Sequence, residues 1–246
     1  MTTLIKVFLK IFFRNPRAWF FVIFLPTGLF ALAAFLSLEA IIRADLTVPY
    51  RDFLLIGIIS MAFMQSGIYT MGYLFIDYKR LQVLKRLYIT PLSGKDFLIA
   101  QIISRFFISL LQTISLVAVG IMIFGANLQN FWLLPILVFV GSTLFLNFGV
   151  LIAATARDYE EAAPYTTIVG LPLVFLGDVF FPVQNLPPVL SKIADFLPLK
   201  PFSAIMRHYL LGLVDANIVS DFIVLAVWLA ATILLAFFAF ERKIYK

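Results

Sequence analysis

Between Phe180 and Gly212 the chain reads FFPVQNLPPVLSKIADFLPLKPFSAIMRHYLLG, apolar enough for membrane depth yet cut by Pro182, Pro187, Pro188, Pro198 and Pro201. A proline inside a helix removes a backbone donor and clashes with the preceding turn. The breaks leave two segments of about ten residues, where a transmembrane helix needs roughly twenty. The stretch is therefore expected to enter one leaflet and come back as a helical hairpin. Broken backbone survives at membrane depth only when it is buried in protein or lines a wet cavity. This one element thus demands a fold with a packed interior or a path to guard.

The rest of the chain is built for the same solvent. Hydrophobic residues make up 63% and charged residues 13% of 246 positions, with a mean hydropathy of +1.03. That is too apolar for the surface of a soluble fold. Hydrophobic runs lie at about 19–38, 53–76, 98–124, 131–156, 162–181 and 219–240. The expected fold is all-α and integral to the membrane: six transmembrane helices, with the outer re-entrant hairpin between spans five and six, in a single domain covering 1–246. The amino end, with its basic segment, apolar run and Ala31-Leu32-Ala33 triplet, imitates a cleavable signal peptide. It is read as the first span.

Six spans put both termini on one side. With the termini cytoplasmic, fourteen of the 19 Lys and Arg, Arg105 and Arg157 among them, fall to the inner segments. Arg43, Arg51, Lys192, Lys200 and Arg207 remain outside. This asymmetry orients the chain and puts the hairpin on the outer side. The formal charge of +6 sits beside span ends, where topology and anionic lipid account for it, and no nucleic-acid motif accompanies it. The absence of cysteine excludes disulfides and thiol chemistry, and the single His208 cannot build a histidine metal cluster.

Two segments look interfacial. Leu4, Val7, Phe8, Ile11 and Phe12 follow helical spacing while Lys6, Lys10, Arg14 and Arg17 gather on another face, which predicts an elbow helix in the headgroups stopped by Pro16. In the loop 77–97, Leu81, Leu84, Leu87 and Tyr88 recur at helical spacing amid Lys79, Arg80, Lys85 and Arg86. Pro91 ends that helix, and Ser93 with Asp96 forms a capping box for the third span. A short amphipathic helix held between two spans is well placed to receive force from a soluble partner.

Polar groups within the spans are few: Gln65, Ser66, Gln112, Ser115 and Asn147. Such groups face protein or water. Gly149 with Ala153 and Ala226 with Ala230 have the spacing for close helix packing, expected within one subunit. Arg157, Asp158, Glu160 and Glu161 lack a nucleophile or metal ligand and read as a solvated turn. Asp178, Asp195, Arg207 and His208, near the outer mouth, read either as ion pairs of a gate or as interfacial charges that snorkel to water.

The order of these parts resembles the type-2 ABC exporter permeases, in particular the daunorubicin-resistance and nodulation-factor export branch, over essentially the whole chain. The resemblance rests on the loop helix ending Leu87, Thr90, Pro91, Leu92, Ser93, and on Gly177, Phe181, Pro182, Leu186, Pro187, Leu197, Pro198, Arg207, Leu211 and Gly212 after the fifth span. The chain departs from that pattern in having no Gly in Asp77-Tyr-Lys-Arg-Leu-Gln82 and in having Leu176 before Gly177.

The resemblance implies a cell-membrane permease without a catalytic site or cofactor of its own. It would pair with a second copy or a relative and be driven by two cytoplasmic ATPase subunits that carry ATP and Mg. It assigns coupling to Leu81, Leu84, Lys85, Leu87, Tyr88, Thr90 and Pro91, and the elbow to Lys6, Lys10, Arg14 and Arg17. Spans two and five would border the path, which makes Met61, Phe63, Met64, Gln65, Thr166, Val169 and Phe175 cavity candidates. Gly177, Asp178, Phe181, Pro182, Pro187, Pro198 and Arg207 would form the outer hairpin or gate. The residues agree that ATP binds elsewhere, since Gly94-Lys95 has Ile89 where a phosphate-binding loop needs its first Gly. The expected cargo is lipophilic or amphiphilic and moves outward. The rivals are a polysaccharide or lipid-linked glycan exporter, an intramembrane enzyme, and a non-transporting anchor for an ATPase.

Overall fold

The computed structural model describes residues 1–36, 48–89, 92–214, 217–240 and 242, the side chains of Leu84, Leu87, Tyr88 and Gln184 excepted. Most of the described residues are helical, with no strand among them. Helix α1 (Thr2–Arg14) ends at Asn15, whose side chain accepts a hydrogen bond from the Ala18 amide at 3.2 Å and so caps α2 (Pro16–Phe35). Pro16 is where the sequence expected the break: its missing N–H costs nothing in a first turn.

Next come α3 (Tyr50–Arg80), α4 (Val83–Tyr88), α5 (Gly94–Met122) and α6 (Phe131–Thr155). They are followed by α7 (Tyr159–Leu176), the hairpin arms α8 (Pro188–Phe196) and α9 (Leu199–Leu211), and α10 (Ile218–Ala239). Five of these, α2, α3, α5, α6 and α10, are long and apolar enough to cross a membrane. The fifth expected position, 162–181, is occupied by α7, a continuous helix of 18 residues that carries Pro164, Pro172, Glu160 and Glu161. Its charged first turn dilutes its apolar length, so the described helices that meet the criterion number five rather than six.

Helix α3 is the centre of the fold. Its apolar stretch is 83% buried, against 17% for α2 and for α10. Helix α6 crosses it where Gly67 meets Gly149. A Cβ on either would collide with backbone of the other helix, so only glycine permits this approach. The expected intrasubunit packing of Gly149 and Ala153 is thus present, whereas Ala226 and Ala230 stand exposed on α10.

Several local expectations are met in atomic detail. The Ser93 hydroxyl accepts from the Asp96 amide at 3.1 Å and donates to its carboxylate at 2.8 Å, capping α5. Asp158 caps α7 by accepting from the Glu161 amide at 3.0 Å, while the Glu161 carboxylate accepts from the Arg157 amide at 2.9 Å. The acidic cluster is therefore a helix cap, which also complements the positive end of the helix.

Candidate functional site

Two buried arginines define the two ends of the molecule. At the hairpin end Asp178 has φ of 60°, just after α7. This left-handed backbone aims its carboxylate at α9. Arg207, 3% exposed, donates from Nη1 to the Asp178 carboxylate at 2.5 Å and from Nη2 to the Asp178 carbonyl and, at 3.3 Å, to the Phe53 carbonyl. Its guanidinium lies 3.6 Å from the centre of the Phe53 ring. The other Asp178 oxygen accepts from the Val183 amide at 2.8 Å, and Ser203 donates to the Gly177 carbonyl at 3.0 Å. Charge-assisted bonds in a site with little water are strong and mutually dependent. They weld the end of α7, the α9 arm and α3 into one unit.

The other charges at the hairpin end go elsewhere. Lys200 pairs with Asp195 at 3.0 Å and with Asp221 of α10 at 3.1 Å. Burial pulls the Lys200 ammonium toward the neutral form, but its two carboxylate partners outweigh that and hold its pKa above the usual lysine value. His208 Nδ1 lies 2.8 Å from the Leu213 carbonyl. Pro182 and Pro198 are buried, Pro187 is exposed, and Phe181 is half-buried.

At the opposite end α3 is clamped before it hands over to α4. Lys79 Nζ donates to the carbonyls of Ala153 and, at 3.1 Å, Ala156; Tyr159 donates to Asp77; and Arg80 lies 5.1 Å from the Tyr159 ring centre. Gln82 then takes φ of 53° and α4 departs. Leu84, Lys85, Leu87 and Tyr88 belong to α4; Leu81, just before it, and Lys85 are exposed. Thr90 and Pro91 lie outside the described residues.

Between this clamp and α2 run two clefts, of about 320 and 360 Å³. Both contain Phe21, Val22 and Thr70, so they adjoin along the helix axes. Two of their walls carry a π-helical stretch, Phe20–Phe24 in α2 and Ser66–Met71 in α3. Such widened turns re-aim side chains and concentrate at functional sites. Buried acceptors without partners line the clefts: Gln101 Oε1 in the first, Ser66 Oγ and Gln112 Oε1 in the second.

The seven cavity candidates scatter across this layout. Met64 and Gln65 line the second cleft. Met61 and Phe63 turn into the core, with Phe63 edge-on to Phe202 at 5.8 Å. Thr166 is buried within 3.3 Å of the Tyr73 hydroxyl, Val169 is half-buried, and Phe175 is exposed. On α1, Lys6, Lys10 and Arg14 are exposed, as is Arg17 in α2.

Sequence reasoning missed Arg105. Counted among the inner topology charges, it stands inside α5, 9% exposed, and lines the first cleft with Gln101, Ser104, Tyr73, Asp77 and Tyr78. The signal was present: Gln101, Ser104, Arg105, Ser109 and Gln112 recur at helical spacing, and all five are buried.

Comparison with known proteins places this architecture. Residues 1–211 match the family described as ABC-2 type transporter. The chain is 31% identical to Nodulation protein J of Rhizobium leguminosarum bv. viciae over 138 residues, covering 54% of this chain and 53% of that protein. It is 21% identical to the Inner membrane transport permease YadH of Escherichia coli (strain K12) over 193 residues, covering 78% and 75%. The matched stretch thus spans about half the length of the Nodulation protein J.

Proposed function

We propose that this chain, which belongs to the ABC-2 type transporter family, is the permease subunit of an ATP-driven exporter that moves lipophilic or amphiphilic cargo outward. As a multi-pass membrane protein of a permease family, it leaves ATP hydrolysis, with its Mg, to a separate cytoplasmic ATPase present in two copies. A second permease copy or a relative completes the membrane unit, and 1–246 acts as one transmembrane domain.

In this reading α7 serves as the fifth of six spans, because its neighbours in the chain cross and its exposed Ile168, Leu171 and Phe175 suit lipid or a second subunit. The termini are cytoplasmic, α1 is the elbow in the inner headgroups, and α8 with α9 is the re-entrant outer hairpin. The Asp178–Arg207 unit closes the outer end at rest.

The observation that carries the proposal is α4. It follows directly from an α3 end pinned by Lys79, Arg80 and Asp77 to α6 and α7. A push on α4 is therefore delivered to three helices at once, and α3 forms a continuous helix up to the outer cluster at Phe53. The predominantly apolar clefts support lipophilic cargo over a glycan, whose hydroxyls need a polar lining.

The test is gentle affinity purification from native membranes, comparing the chain with its Leu84→Asp and Leu87→Asp variants. A stoichiometric ATPase is expected with the unchanged chain and lost with both variants. A chain that purifies alone, or variants that keep the ATPase, would overturn the proposal.

A further inference from the structure

The first cleft contains a charge with no answer. Arg105 is nine-tenths buried, yet no hydrogen bond or ion pair reaches its guanidinium among the described residues. Asp77 lines the same cleft but is engaged by the Tyr159 hydroxyl and makes no ion pair with Arg105. A buried cation left unpaired is strongly destabilising. At the other end of the molecule the chain surrounds Arg207 with an acid, carbonyls and an aromatic face, so the bare state of Arg105 reflects a site built for something outside the chain.

From this geometry we infer that the cleft between α1, α3 and α5 binds the phosphate of an inner-leaflet phospholipid headgroup on Arg105. The position is right for it. Arg105 lies eleven residues beyond Gly94, about 16 Å along α5 from its inner end, and faces the last turns of α3 at Asp77 and Tyr78. A guanidinium offers five donors in a planar fork that matches phosphate geometry. Gln101, one turn before it on α5, adds a side-chain amide for the remaining headgroup oxygens, while the adjacent Ser104 donates its hydroxyl to the Gln101 carbonyl at 2.8 Å. The mouth supplies the rest of the amphiphile's requirements. Ile11 and Phe21, 58% and 62% exposed, line it and give acyl chains an apolar track into the bilayer. The exposed Lys6, Lys10 and Arg14 of α1 attract phosphate-bearing lipid toward it. A peptide carboxylate from a soluble partner would have to pass that apolar rim, which favours lipid as the occupant. This site needs no coupled ATPase, so it stands or falls separately from the proposed transport function.

The experiment is native mass spectrometry of the delipidated, detergent-purified chain titrated with phosphatidylglycerol, phosphatidylethanolamine, diacylglycerol or inorganic phosphate. One phospholipid of either class is expected to bind per chain, diacylglycerol much less. Arg105→Gln should weaken phospholipid binding at least tenfold and leave diacylglycerol unchanged. Arg105→Lys should fall between, because an ammonium keeps the charge and loses the fork. Ile11→Trp, a surface change that narrows the mouth, should also weaken binding about tenfold and keeps the test alive if Arg105→Gln fails to fold. Lys192→Gln, on the exposed face of α8, should bind as the parent does. Equal phospholipid binding by Arg105→Gln and the parent would overturn the inference. So would inorganic phosphate binding as tightly as lipid, which marks a free-anion site. Arg105→Gln that keeps its lipid but loses a co-purifying ATPase would overturn it too, giving Arg105 to a protein carboxylate.

Discussion

Arg207 and Arg105 are both buried on helices of the same bundle, and they are treated in opposite ways. Arg207 has its acid, two carbonyl oxygens and an aromatic ring; Arg105 has a cleft. A charge is retained in a low-dielectric interior when its partner is close and well aligned, or when its partner arrives from outside. The Arg207 end is therefore self-sufficient, while the Arg105 cleft is left without a countercharge of its own. In the proposed exporter this asymmetry would be functional, with the self-paired end as the seal and the cleft end as the place that takes ligand and force.

The comparison is broken most severely at Asp178. Asp178→Asn keeps a residue that tolerates the left-handed backbone but strips the charge, leaving Arg207 buried without a countercharge. It should cost about 3–5 kcal/mol, read as a fall in the thermal midpoint in detergent. Adding Arg207→Met should recover part of that loss, since an apolar side chain of similar volume removes the stranded charge. No recovery would mean that the cluster matters through packing alone.

A second test concerns the scaffold between the two ends. Gly67→Ala inserts a methyl where α3 and α6 touch backbone to backbone, and should cost about 1–3 kcal/mol through forced separation. Ala226→Leu, on the exposed face of α10, should leave the isolated chain's midpoint nearly unchanged. At the end opposite the hairpin, Ser93→Ala removes the α5 cap and should cost about 1 kcal/mol. The smallest effect sharpens the contrast most. Arg105→Met, measured without phospholipid, should shift stability by less than about 1 kcal/mol or raise it, because no protein partner is stranded. A loss as large as that of Asp178→Asn would place Arg105 with Arg207 as a structural charge.

Much of this was legible in the sequence because it is local. Pro16, Ser93 with Asp96, and the proline breaks around α8 and α9 act within a turn of themselves, and the helices start and stop where they direct. The pairing of Asp178 with Arg207 joins residues 29 apart; the sequence placed both near the outer mouth without saying that they meet. The cavity was harder. Most of the α3 centre is apolar and it is buried nearly all round, so its periodicity does not separate Met61 and Phe63, which pack only into the core, from Met64, which also lines the second cleft. Arg105 was read as a topology charge because basic residues near span ends usually are. The polar stripe from Gln101 to Gln112 was the sign that α5 turns one face inward, and burial of all five members makes it visible. The fifth span is expected at 162–181, but α7 stops at Leu176, because Gly177 and the left-handed Asp178 end it, a break that hydropathy does not register.

The most direct test of the central claim is flux. The chain is reconstituted into sealed vesicles with the ATPase it captures, and transfer of a fluorescent amphiphile to the outer leaflet is followed on addition of ATP and Mg. Transfer that requires hydrolysable ATP and drops at least tenfold with Leu87→Asp, at unchanged protein insertion, is the predicted result. ATP-independent transfer, or none while the ATPase remains bound and active, would contradict the account of a force-coupled exporter permease.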